Sequence, residues 1–215
     1  MMKTQILVLA ALLSISMATF NNVGKTPAMG WTAYDKFVCS KMDEDEIKKQ
    51  VGLVKSLGLD KSGYQYVNLD SCWMYDKRFQ GELVGDVDRF PSGIEAMSKY
   101  VHDADLKFGL HLSSGGLTCN KKPGSQNWES SDARRIAEFE VDYIRYDVCY
   151  ANKTPFPAET DQVRFERMQD ALKSVERPIY YAIDTLGLGD FQSWANKTGN
   201  SWRTYKDVQP TWKSI

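Results

Sequence analysis

Four polar residues recur at an almost constant interval along this chain. Asp70, His111, Asp147 and Asp184 lie 41, 36 and 37 residues apart. Each sits at or near the end of a short apolar run that reads as a strand: Tyr66 to Leu69, Lys107 to Leu112, Val141 to Tyr146, and Pro178 to Ile183. Helical periodicity fills the intervals. Ile47, Val51, Val54 and Leu57 recur at helical spacing in Asp43 to Leu57, with Asp43 placed as a cap. Gly93 to Asp103, Ser131 to Phe139 and Arg164 to Val175 read the same way. Alternating strands and helices imply a parallel sheet with crossover helices.

Two α/β folds place polar residues at the carboxyl ends of parallel strands, the doubly wound sheet and the (β/α)8 TIM-type barrel. No GxGxxG or GxxxxGK[ST] follows any strand here, so a nucleotide-binding doubly wound sheet lacks support. The barrel is the expected fold. Strands near Trp31, Leu69, Leu110, Ile144, Tyr181 and Trp202 number six, and the chain has 215 residues. A full barrel typically takes about 250. The expectation is therefore a barrel truncated after about six strands, with two open parallel edges. A fragment of a longer protein, a degenerate product, or a partner that supplies the remainder would each account for that.

The first eighteen residues stand outside the fold. Lys3 supplies a positive charge, Ile6 to Leu13 is apolar, and Ser16-Met17-Ala18 offers small residues for cleavage, the pattern of a signal peptide. A membrane anchor is the alternative, but a span needs about 20 apolar residues and this run is shorter. Residues 19–215 are then the barrel domain, secreted or routed to a vacuole or lysosome and free of the membrane after cleavage. Export permits disulfides among the four Cys. Asn152-Lys153-Thr154 and Asn196-Lys197-Thr198 match the glycosylation pattern. With 27 basic and 28 acidic residues, a nucleic-acid partner is not indicated. Two His and no CxxC pair leave no metal site in view. Nothing in the sequence speaks to oligomeric state.

Five stretches make the reading specific: Thr26 to Trp31 (TPAMGW), Gly63 to Trp73 (GYQYVNLDSCW), Arg89 to Ile94 (RFPSGI), Asp142 to Cys149 (DYIRYDVC) and Asn200 to Asp207 (NSWRTYKD). Together, in this order, they resemble the α-galactosidases (melibiases) of glycoside hydrolase family 27. The resemblance implies a retaining hydrolase on a (β/α)8 barrel, acting on α-galactosides without a cofactor. It implies Asp147 as nucleophile and Asp207 as general acid/base. Retention needs two carboxyls about 5–5.5 Å apart, one attacking the anomeric carbon and one exchanging the proton. Burial or a negative neighbour would keep the acid protonated.

The same resemblance gives Asp70, Asp184 and Arg203 as sugar contacts, and Trp31 and Tyr34 as an apolar wall, with core packing the alternative for Trp31. It pairs Cys39 with Cys72 and Cys119 with Cys149, which braces the loops after Asp70 and Asp147 and puts Cys119 beside the site. An acid at 184 suits galactose better than N-acetylgalactosamine. Tyr34 stands where relatives usually have Trp and Asp184 at the position of a family glutamate, and four further positions depart from the family. Ser71 stands for an Asp, His111 for a Tyr, Ser113 for an Asp, and Arg145 for a Lys, a swap that retains charge but not geometry. These changes surround the sugar hydroxyls, so altered sugar recognition, or a catalytically impaired weak sugar binder, is the alternative expectation.

Overall fold

The computed structural model describes residues 21–33, 39–151, 159–208 and 211–212. Six parallel strands run in chain order, β1 (Gly30–Thr32), β2 (Tyr66–Leu69), β3 (Lys107–Ser113), β4 (Tyr143–Asp147), β5 (Tyr180–Asp184) and β6 (Ser201–Trp202). Helices α1 (Glu44–Ser56), α2 (Ile94–Asp103), α3 (Glu129–Glu138), α4 (Asp161–Lys173) and α5 (Ala195–Thr198) fill the crossovers. The sheet curls into part of a (β/α)8 barrel, as the spacing predicts. Among the described residues β1 and β6 each pair on one side only, and no helix is long and apolar enough to cross a membrane.

Strand alternation sorts the side chains into two layers. Val67, Leu69, Phe108, Leu110, Leu112, Ile144, Tyr146, Tyr181 and Ile183 join the apolar core that the helices cover. Into that core α1 sends Ile47, Val51 and Val54. The other face carries the polar residues. Its lower end is filled by the rings of Tyr66, Tyr143 and Tyr180, with centroids 5.2–6.0 Å apart. Between them Gly109 leaves necessary space: a Cβ there would come within 2.0 Å of Asn68 Oδ1 and 2.9 Å of the Tyr143 ring. Only a residue without a side chain lets β2 and β4 crowd β3 at that level.

Element ends differ from the periodicity for local reasons. Asp43 caps α1 as expected, accepting the Glu46 N–H at 2.9 Å. Leu57 lies one residue past that helix and is exposed. In α4 the first turn carries one apolar residue, the exposed Val163, so the buried apolar spacing begins a turn late. Its start is Asp161, behind the Thr160 hydroxyl that accepts the Val163 N–H. Similarly α3 begins at Glu129, two residues before the expected Ser131. Val141 is buried, but its N–H returns to Ile136 at the end of α3, so the β4 ladder starts only at Tyr143.

Candidate active site

Each site residue is placed by its strand. Cross-strand register sets His111 beside Arg145 and, one step further toward the carboxyl ends, Ser113 beside Asp147 and Asp147 beside Asp184. Asp70 directly follows β2, where its carboxylate caps the next turn by accepting the Ser71 N–H at 2.7 Å. The Ser71 hydroxyl donates to the same oxygen at 3.0 Å and receives the Asn120 amide at 2.8 Å. Ser71 is thus spent on orienting Asp70.

Asp147 is 1% exposed, and both its oxygens are engaged. Oδ1 accepts the Cys149 N–H at 3.0 Å, and Oδ2 lies 2.8 Å from His111 Nε2. Burial pushes the Asp147 pKa up, but the His111 charge and hydrogen bond, helped by Ser113 and the Cys149 N–H, outweigh it and hold the carboxyl below its ordinary value. Conversely, burial pushes His111 down while the Asp147 charge and bond, then the Asp70 charge, raise it above its ordinary value against the opposing Arg145. Asp147 is therefore biased toward its ionised form in a dry setting. A hydrogen-bonded carboxylate oxygen keeps a lone pair for attack.

Linkage follows from those directions. A depressed Asp147 contributes stability above about pH 3.8 that is lost as pH falls through its folded value. A raised His111 contributes stability below about pH 6.5 that is lost as pH rises through its folded value. The pair should stabilise most between those limits. Urea midpoints of the native protein and His111→Gln at about pH 2, 5 and 9 should differ most at the middle value. A constant difference would refute the coupling.

Arg145 ties the strand ends together. Its Nε and Nη2 donate to Asp184 Oδ2 at 2.9 and 2.7 Å, and Nη1 reaches Asp70 Oδ2 at 3.3 Å. Arg203 continues the chain of charges, with Nη1 3.5 Å from Asp184 and Nη2 2.8 Å from Asp207. A cavity of about 170 Å³ is bordered by Trp31, Asp70, His111 and Arg145. A neighbouring groove of about 580 Å³ is bordered by Arg145, Asp184, Arg203 and Asp207. Trp31 also packs against the apolar core, as its register beside Val67 requires. Asp207 follows β6 in a loop, with its side chain 61% exposed. Its contact is the Arg203 guanidinium, which it shares with Asp184, and burial does not shelter it.

Cys39 pairs with Cys72 and Cys119 with Cys149, which clamps the loops after Asp70 and Asp147 to the rest of the chain. The Cys119 and Cys149 sulfurs lie near Asp147, but in a disulfide they offer no thiolate to a metal. Arg78 ties its own loop to α3 by forking Asp132 at 2.6 and 2.8 Å, and to the loop before α3 by donating to Gly124 O at 2.8 Å. Tyr34, Asn152 and the leader lie outside the described residues. Asn196 is exposed on α5, while Thr198 is buried.

Sequence reasoning missed Asn120 and Trp73. Trp73 Nε1 donates to the His111 carbonyl at 2.9 Å and so fixes β3 beside the site. Both stand next to cysteines of the two bridges, and Trp73 also closes the stretch Gly63 to Trp73, which gave it no role.

The family model described as Alpha galactosidase A matches residues 26–215. The chain belongs to that family. Alpha-galactosidase 2 of Arabidopsis thaliana is 40% identical over 91% of this chain and 48% of its own length. An alpha-galactosidase of Coffea arabica is 40% identical over 91% and 50%. The alpha-galactosidase of Saccharomyces cerevisiae superposes with a TM-score of 0.84 at 34% identity, covering 89% of this chain and 42% of the yeast chain. A structure of the yeast enzyme with raffinose gives 0.80 at 33%, covering 90% and 44%. The chain thus spans about half the length of the curated relatives it matches. Family membership covers the whole strand-end constellation, from the loop before β1 through Asp207.

Proposed function

We infer that the protein is a secreted or vacuolar retaining hydrolase of terminal α-galactosides. The observation that carries this reading is the buried Asp147 at the end of β4, held at both oxygens, inside a family of α-galactosidases. Asp147 attacks the anomeric carbon as the glycosidic C–O bond breaks, and Asp207 gives its proton to the departing oxygen. Asp207 then takes a proton from water, whose oxygen attacks the same carbon, breaks the ester to Asp147 and leaves galactose with its original configuration. Asp70, Arg145 and Asp184 surround the sugar hydroxyls. Raffinose, held by a yeast relative, is a substrate of the proposed class. The two disulfides suit an oxidising compartment and so agree with export by the leader.

One observation favours the second reading, a weak sugar binder. Asp207 is exposed and bonded to Arg203 rather than sheltered as an acid donor. Proton NMR of p-nitrophenyl α-galactoside turnover separates the two. First-formed α-galactose supports the hydrolase, and first-formed β-galactose rejects retention. A folded protein that binds galactose without turnover establishes the second reading.

A further inference from the structure

We propose that His111 is a positioning residue for the nucleophile, an imidazolium that holds Asp147 in place and keeps it ionised in acid. The proposal rests on the reading of Asp147 as nucleophile, but its geometry stands independently. His111 is 3% exposed, and Nε2 lies 2.8 Å from Asp147 Oδ2. Nδ1 has no hydrogen-bond partner and faces Asp70 Oδ1 at 3.8 Å. The ring therefore stands between two carboxylates that are themselves almost fully buried.

The groups that face the ring come from two elements. Asp147 and Arg145 belong to β4, and Asp70 directly follows β2. Arg145 opposes a charge on His111, but its guanidinium is already engaged by Asp184 and Asp70. Two carboxylates against one committed cation leave room for a second positive charge, and the imidazole is the group placed to carry it. A neutral Nε2–H would orient Asp147 equally well. Only the charged ring also lowers the cost of burying an ionised carboxylate. The same bond fixes the rotamer of Asp147 from the side opposite Cys149, whose N–H engages the other oxygen. A nucleophile held at both oxygens keeps its aim while the sugar moves.

The chain has two histidines, so its imidazole spectrum is simple. His102 also faces a carboxylate, Asp142 at 2.7 Å, and His102→Gln removes its signal. Long-range ¹H–¹⁵N NMR of the full chain in that background follows His111 alone. It should titrate above the ordinary histidine value, and Asp147→Asn should lower its midpoint by about 1–3 pH units, the effect of an opposite charge at this distance. Should Asp147→Asn fail to fold, the ¹³C carboxyl titration of Asp147 gives the reciprocal reading: His111→Gln, which keeps a donor without the charge, should raise its midpoint. A His111 midpoint at or below the ordinary value, or an Asp147 midpoint unmoved by His111→Gln, overturns the proposal. Neither readout depends on turnover. An inactive protein with these titrations would reject the hydrolase and leave the ion pair standing. In an active one, the acid limb of kcat/KM should move to higher pH in His111→Gln, while a limb unmoved by that change also overturns the proposal.

Discussion

Asp147→Ala is expected to lower turnover of an aryl α-galactoside by at least about 10⁴-fold, the scale of losing a covalent nucleophile. Azide should then restore activity and give β-galactosyl azide. The anion fills the space of the lost carboxylate, attacks the anomeric carbon from that side, and the aryl oxygen leaves with a proton. Asp207→Ala should behave differently. Loss of acid/base assistance costs about 10²–10⁴-fold, concentrated in substrates whose leaving group needs a proton. With an activated aryl leaving group the galactosyl-enzyme should still form. Azide should attack that ester, regenerate the Asp147 carboxylate and give α-galactosyl azide. Opposite anomers from the two variants would assign the roles of the two carboxyls. The same anomer from both, or no difference between leaving groups, would reject the assignment. The comparison matters because the two residues sit in unlike settings, Asp147 at 1% exposure and Asp207 in an open loop against Arg203.

The second large effect is on stability. Arg145→Met is expected to cost about 3–5 kcal/mol, the penalty for removing one partner of a buried ion pair, although Arg203 at 3.5 Å still faces Asp184. Arg145 is itself 28% exposed on its side chain, which places the result toward the lower end. Its partners are not: Asp184 and Asp70 are 5% and 8% exposed on their side chains, so they cannot turn to water for compensation. Urea denaturation would measure the loss, and Arg145→Met combined with Asp184→Asn should recover part of it, because the stranded charge is removed. A single-variant cost below about 1 kcal/mol, the range of a surface pair, would show that the strand-end network is solvated and adds little. Arg145→Lys should fall between these limits. It retains the charge but cannot reach both carboxylates as a planar fork does.

Much of the fold was legible in the chain. The strand-like runs ending near Asp70, Asp147 and Asp184 are β2, β4 and β5, and His111 sits near the end of β3. Asp43 caps α1. These features depend on neighbours a few residues away, which periodicity encodes directly. Errors fell at helix starts and at β4, where a mostly polar first turn or a returning backbone N–H leaves little apolar signature. Both disulfide pairings follow the family resemblance, since four cysteines by themselves allow three arrangements.

The strand-end cluster was legible as a set of residues and not as a set of contacts. Strand spacing and the family motifs determined that Asp70, His111, Arg145, Asp147 and Asp184 share one end of the sheet. Tertiary structure alone decided who touches whom: His111 binds Asp147, Arg145 is divided between Asp184 and Asp70, Ser71 serves Asp70, and Asp207 meets Arg203. The bonds from His111 and Arg145 join residues 36 to 75 positions apart. Their partners are chosen by parallel register and by the low dielectric that forces each buried charge to find an opposite one. Local sequence sets which face of a strand a side chain takes. The pairing of charges across strands is a property of the closed packing, and no periodicity along the chain records it.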